Sequence, residues 1–183
     1  MVESRQAPER TTEAPAIRPL VVADLPGYKQ LRDDMLLAHP EAFTSDAAAE
    51  QFKEPADYLQ RLGLDRKEGG HFLLGAWSRG RIVGAIGCER DPRTKVRHVG
   101  HVVGMMVRPE ARGRGIGREL LVACIAEARR TAGMEMLTLT VPASNAAAIH
   151  LYEGRGFVAY GNLRRAIKVG NAYHDKLHMV LAL

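Results

Sequence analysis

Apolar positions along this chain switch between a spacing of two and a spacing of three to four, and the switches mark its elements. Ile17 to Val22 is a short apolar run that predicts a first strand. Asp24 stands where it can cap a helix reaching about Ala38, with Leu31, Met35 and Leu36 on the inner face and His39-Pro40 at the end. Residues 40–53 carry no period and read as irregular chain, and Pro55 to Leu62 predicts a second helix. His71–Trp77 and Arg81–Glu89 are apolar strands around Ser78-Arg79-Gly80, a hairpin signal. After the turn Asp91-Pro92-Arg93-Thr94, a third strand of this meander spans roughly Val96 to Val107. It holds Gly100 and Gly104, and glycines inside a strand mark a bulge or the close approach of another group.

A glycine-rich loop then opens a helix to about Ala132. Its apolar stripe is Leu121, Cys124, Ile125 and Ala128, its wet face is Arg118, Glu119, Glu127 and Arg130, and Gly133 serves as its C-cap. Met136–Val141 predicts a strand, Asn145 starts a shorter helix to about Arg155 that Gly156 stops, and Phe157–Tyr160 and Tyr173–Leu183 read as two last antiparallel strands. The strand–helix–strand unit in the middle requires a parallel pair there. The fold class is therefore α/β: a mixed, mostly antiparallel central sheet with one parallel pair and helices on both faces. Residues 1–15, polar and aperiodic, read as a flexible N-terminal tail ahead of a single domain over 16–183.

The length of 183 residues fits one domain with a sizeable core, and 46% hydrophobic residues exclude a disordered chain. No run approaches the ~18–20 apolar residues of a membrane span, and the N-terminus shows no apolar leader segment. Cys88 and Cys124 form no metal-binding spacing, so no metal is expected, and free thiols in a reducing cytoplasm are the simpler reading. The net charge of +5 suits either nucleic acid or a polyanionic cofactor. With no block of consecutive basic residues and only 5% aromatics, the charge pattern argues against nucleic acid. The densest basic cluster sits on the glycine loop, which favours a small phosphorylated ligand.

That loop is Arg112-Gly113-Arg114-Gly115-Ile116-Gly117, running from an apolar strand straight into a helix. Alternate glycines let backbone amides converge, the helix start adds unpaired N–H groups and a positive dipole end, and Arg108, Arg112, Arg114 and Arg118 surround it. Such a socket suits a diphosphate. The spacing fits neither GxGxxG nor GxxxxGK[ST], so the usual nucleotide loops are excluded.

The loop matches the [QR]-x-x-G-x-[GA] signature of the GNAT family of acyl-CoA N-acyltransferases, and Met105-Met106-Val107-Arg108-Pro109 resembles that family's lead-in. Some thirty residues on, Asn145 to Phe157 matches its second pattern, N-x-x-A-x-x-L-Y-E-x-x-G-F. The resemblance covers about residues 71–183. It implies acetyl-CoA as co-substrate, with its pyrophosphate on the amides of Arg112 to Gly117 and its pantetheine arm between two parted parallel strands, Met105–Val107 and Leu137–Val141. The amide of Val107 or its neighbour would face the thioester carbonyl. Asn145, an N-cap by position, would also touch the cofactor arm, and Tyr152 would protonate the departing thiolate. Relatives that modify ribosomal-protein N-termini carry a glutamate where this chain has Thr140, which leaves Glu89, His98, His101 or water as the base. The acceptor is a primary amine, a small molecule or a protein N-terminus or lysine, bound by residues 24–65 and 160–173. Acids there (Asp33, Asp34, Glu41, Asp46, Glu50) could attract it. A homodimer is a further expectation from the resemblance. The alternatives are a longer acyl-CoA as donor, a coenzyme A-binding sensor without transfer, and a basic nucleic-acid-binding module.

Overall fold

Seven strands hydrogen-bond into one sheet: β1 (Ala16–Pro19), β2 (Phe72–Ser78), β3 (Arg81–Arg90), β4 (Val99–Val107), β5 (Met136–Pro142), β6 (Val158–Val169) and β7 (Ala172–Ala182), in the spatial order β1-β2-β3-β4-β5-β7-β6. The structure is a computed structural model that describes residues 15–65 and 69–183. The expected tail therefore lies, but for Pro15, outside the described residues. Every neighbouring pair is antiparallel except β4 and β5, the parallel pair required by the strand–helix–strand unit. Helices α1 (Leu25–Ala38) and α2 (Ala47–Glu50) and a 3-10 helix (Pro55–Leu62) lie on one face; α3 (Ile116–Arg130) and α4 (Ala146–Glu153) lie on the other.

Two apolar cores follow from this layering. Leu121, Cys124, Ile125 and Ala128 of α3 are buried against Ile86, Cys88, Leu137 and Met179 of the sheet. Leu31 and Met35 of α1 pack with Tyr28, Tyr58, Leu73 and Met106 on the opposite face. Both cysteines are free and buried. Among the described residues no helix is long and apolar enough to cross a membrane, and no cluster of ligating side chains could hold a metal ion.

Several boundaries differ from the sequence reading, each for a local reason. β1 ends at Pro19, and Val22–Asp24 forms a 3-10 turn. Asp24 does not cap α1 with its side chain, because that carboxylate pairs with Arg18 at 2.6 Å and accepts from the Val21 amide at 2.9 Å. Residues 96–98 belong to a turn: the amides of Val96 and Arg97 both donate to the Arg93 carbonyl, which delays β4 until Val99. The expected irregular stretch contains α2, whose Asp46 side chain accepts from the Ala49 amide at 3.1 Å. The second helix keeps its expected bounds but winds as a 3-10 helix. α3 ends at Arg130 with Thr131 as its cap, and Gly133 takes up a left-handed turn two residues later. β6 runs well beyond Tyr160, to Val169. The β2–β3 hairpin closes as expected, with Arg79 and Gly80 at φ 51° and 73°, the positive pair a tight two-residue turn demands.

The two glycines of β4 take different roles. A Cβ on Gly100 would stand 2.8 Å from Leu137 Cδ2 and 2.9 Å from Cys88 Sγ, so Gly100 allows close approach. Gly104 makes a bulge at φ 59°: the register with β3 shifts from Gly87↔Val103 to Ala85↔Met106, leaving Gly104 and Met105 opposite Ile86. Past that point the strand's facing is inverted. Met105 and Val107 pack toward α3, whereas Met106 packs toward α1.

Candidate active site

The parallel strands pair only at Val99↔Met136, Gly100↔Leu137 and His101↔Thr138, and then separate. The opening thus runs along Val102–Val107 and Leu139–Val141; Leu137, expected in the parted stretch, is still paired. A cavity of about 820 Å³ fills it. Met105, Val107, Leu139, Val141, Ala148 and Tyr152 line the side toward α3 and α4, while Met35, His39, Glu41, Phe43, Met106 and Lys176 line the side toward α1. The slot lies between the parted strands and is lined by residues from both faces of the sheet.

At one end lies the glycine loop. Gly113 and Gly115 adopt φ 72° and 78°, and a Cβ on either would meet nothing within 4 Å, so the backbone there faces open space. Among the described residues, no carbonyl accepts from the amides of Gly113 to Arg118, the loop and first turn of α3. Those convergent unpaired donors at a helix start fit a diphosphate. The four arginines around the loop are placed differently from one another. Arg108 is buried, donating to Asp34 at 2.7 Å and to the Ile82 carbonyl at 3.2 Å, and it belongs to the core. Arg112 folds back so that Nε donates to the Val107 carbonyl at 3.1 Å and Nη2 meets His39 Nε2 at 2.9 Å. Arg114 is exposed and does not line the cavity, whereas Arg118 lines it and stands 3.2 Å from Glu119.

Val107 has its backbone aimed into the slot. The Arg108 amide donates to the Val83 carbonyl at 2.8 Å, so the neighbouring pair Gly84↔Val107 is the non-bonded kind. The N–H and C=O of Val107 therefore point away from β3, toward the gap. Arg112 takes the carbonyl, and the N–H remains available to an oxygen in the slot.

Asn145 caps α4 by accepting from the Ala148 amide at 3.1 Å, and it also lines the cavity. Replacing Asn145 with alanine is expected to cost about 1 kcal/mol, the usual worth of an N-cap, measurable by urea unfolding. Ala148 and Tyr152 stand on the cavity wall, and Tyr152 packs edge-on against Phe157 with centroids 5.8 Å apart. Burial raises the Tyr152 hydroxyl well above its ordinary value, which keeps it protonated.

None of Glu89, His98 and His101 lines the cavity; His101 instead bonds Thr138 Oγ1 at 2.6 Å. Nor do residues 160–173, which form the β6–β7 hairpin. The acids expected to attract an amine are mostly engaged elsewhere: Asp33 with Lys29, Asp34 with Arg108, Asp46 at the α2 cap, Glu50 with Arg32. Only Glu41 reaches the cavity, 3.5 Å from His39. Sequence reasoning did not single out His39 or Lys176. The first ends α1, where only its breaker role was visible, and the second is placed by the long-range pairing of β7 with β5.

The fold and the slot define a mixed-sheet protein built around a parted parallel pair. Comparison with known proteins agrees. A model of the Acetyltransferase (GNAT) family matches residues 28–157, and the chain belongs to that family. It is similar to a mycothiol acetyltransferase from Salinispora tropica, 29% identical over 138 residues, covering 75% of this chain and 42% of the relative. It is also similar to N-alpha-acetyltransferase 30 from Saccharomyces cerevisiae, 33% identical over 92 residues, 50% of this chain and 52% of the relative. The chain thus spans about half the length of these curated relatives. The crystal structure of a GNAT-family acetyltransferase from Streptococcus pneumoniae shares the fold, with a TM-score of 0.82 at 24% identity over 92% of this chain and 99% of that one.

Proposed function

We propose that residues 16–183 form a single GNAT domain that transfers the acetyl group of acetyl-CoA to a primary amine. The observation that carries this reading is the slot itself, lined from both faces and ending at unpaired loop amides. The relatives, named as acetyltransferases of mycothiol and of α-amino groups, support it. Amides of Gly113, Gly115, Ile116 and Gly117, with Arg118, hold the pyrophosphate, while Met105, Met106, Val107 and Asn145 flank the pantetheine arm. Acetyl-CoA supplies an activated acyl carbon. The Val107 N–H steadies the negative charge that grows on the carbonyl oxygen as the amine attacks. The C–N bond forms, the C–S bond breaks, and Tyr152 gives its proton to the departing sulfur. With Glu89, His98 and His101 all off the wall, water in the slot takes the amine's proton.

Tyr152→Phe is expected to lower kcat by about tenfold, short of the 10²–10⁴ common for a general acid, because a thiol with pKa of about 8.5 leaves well unaided. Cofactor affinity should hold, and an unchanged kcat removes Tyr152 from the acid role. The reading as a whole is tested by thermal shift with acetyl-CoA and by thiol release across an amine panel. Stabilisation with release for at least one primary amine is expected. Stabilisation without release from any amine would make the domain a sensor, and release only with longer acyl-CoA would change the donor. Salt-sensitive DNA binding without stabilisation would overturn the reading.

A further inference from the structure

Lys176 is the only buried cation lining the cavity among the described residues, at 9% exposure. Its strand fixes the direction of its side chain. Leu177, Met179 and Leu181 of β7 pack into the core beneath α3 and α4. A strand alternates faces, so Lys176 projects to the opposite side, toward α1, directly across from Pro142 of β5. This is the face of α1, within the stretch 24–65 expected to hold the acceptor, and it lies opposite the face that carries α3. Among the described residues Lys176 makes no hydrogen bond or ion pair, and burial alone disfavours its charged form. The acids that the sequence offered for this pocket are committed elsewhere, except Glu41, which stands by His39.

A buried ammonium without a counter-ion is costly, and an anion brought by a ligand removes that cost. The other two cations on the wall are differently placed: Arg112 is bound to the Val107 carbonyl and His39, and Arg118 sits in the first turn of α3. One free positive charge matches one negative charge, which suits a carboxylate better than a phosphate dianion.

We infer that Lys176 binds a carboxylate of the acceptor, so that the favoured substrates are small amines of the amino-acid type. This inference rests on the acetyl-transfer reading above, and its test separates the two. Acetylated products carry the carboxylate but require no turnover. Binding of N-acetylalanine and N-acetylphenylalanine is compared with that of their amides, by calorimetry in the presence of coenzyme A, for wild type, Lys176→Met and Lys176→Arg. Methionine fills similar space without charge and so spares the fold. Wild type is expected to bind at least one acid about 10- to 100-fold more tightly than its amide, the usual worth of a charge-assisted hydrogen bond. Lys176→Met should lose that discrimination and Lys176→Arg should keep most of it. In thiol-release assays the same preference should appear for free alanine or phenylalanine over the amides, chiefly in KM.

Equal binding of acid and amide by wild type, no binding of either acid, or discrimination retained in Lys176→Met would each overturn the inference. So would a Lys176→Met variant whose kcat falls equally for acids and amides with binding unchanged, the mark of a base. Absence of thiol release with every amine would instead defeat the transfer reading, while the product-binding comparison still decides the role of Lys176.

Discussion

Gly115→Val is expected to weaken coenzyme A binding by about 100-fold or more while the domain still folds. The residue stands at φ 78° immediately before the first turn of α3, with open space where a side chain would begin. A valine there would fill the volume that the diphosphate needs and would resist the left-handed backbone, at roughly 1–2 kcal/mol of strain. Each amide pulled out of line forfeits a hydrogen bond to a charged oxygen, worth about 1.5–3 kcal/mol, and losing two of them already exceeds the 100-fold figure. Calorimetric titration with coenzyme A reads the loss, and a circular dichroism melt within a few degrees of wild type shows that the fold persists. Unchanged affinity would mean that the diphosphate lies elsewhere.

A second large effect is expected far from the cofactor loop. Glu50→Ala should destabilise the protein by about 3–5 kcal/mol, the usual cost of stranding one member of a buried ion pair. Glu50 accepts from Arg32 Nε at 2.9 Å and from the Tyr58 hydroxyl at 2.8 Å, and also pairs with Lys53; both Glu50 and Arg32 are buried. One carboxylate thereby ties α1, α2 and the 3-10 helix together. Removing it leaves the Arg32 guanidinium with Ser45 as its remaining hydrogen-bond partner among the described residues. These partners outweigh desolvation and hold the Glu50 carboxyl at about 2, against an ordinary 4.5. The folded value lies below the unfolded one, so the stabilisation is complete above the unfolded value and is lost as pH falls toward about 2. Urea unfolding should therefore show wild type losing its advantage over Glu50→Gln across that window. A constant difference would assign Glu50 a packing role only. The segment between α1 and α2 carries His39, Glu41 and Phe43 to the cavity, so looser helices should also raise KM for the amine.

Apart from the one-turn helix α2, the order of the main elements was legible because each has its own period or punctuation: the stripe of α3, the Arg79-Gly80 turn, the glycine before α3. The parallel pair followed from chain geometry. β6 was cut short at Tyr160 because its second half, through Asn162, Arg164 and Arg165, lacks alternation. That strand lies on the sheet edge, exposed over most of its length, with Arg165 at positive φ and a register shift between Leu163 and Ile167, so no buried face imposes a pattern. The glycine-loop end of the slot was readable for a related reason: convergent amides within one loop are local in sequence. The acceptor end was not. Whether an aspartate faces a substrate or an arginine depends on partners such as Arg108, 74 residues from Asp34, and the placement of Lys176 depends on strands that pair across the sheet.

The burial of the two cysteines has a practical corollary. Neither Cys88 nor Cys124 shows surface to solvent, and burial pushes the Cys88 thiol up to about 12 and the Cys124 thiol higher still, so almost no thiolate is present at neutral pH. A disulfide dye added to the native protein should stay nearly colourless, so in the thiol-release assay of the proposed reaction a rise in absorbance would count released thiol. The protein is, in this respect, a silent background for its own assay.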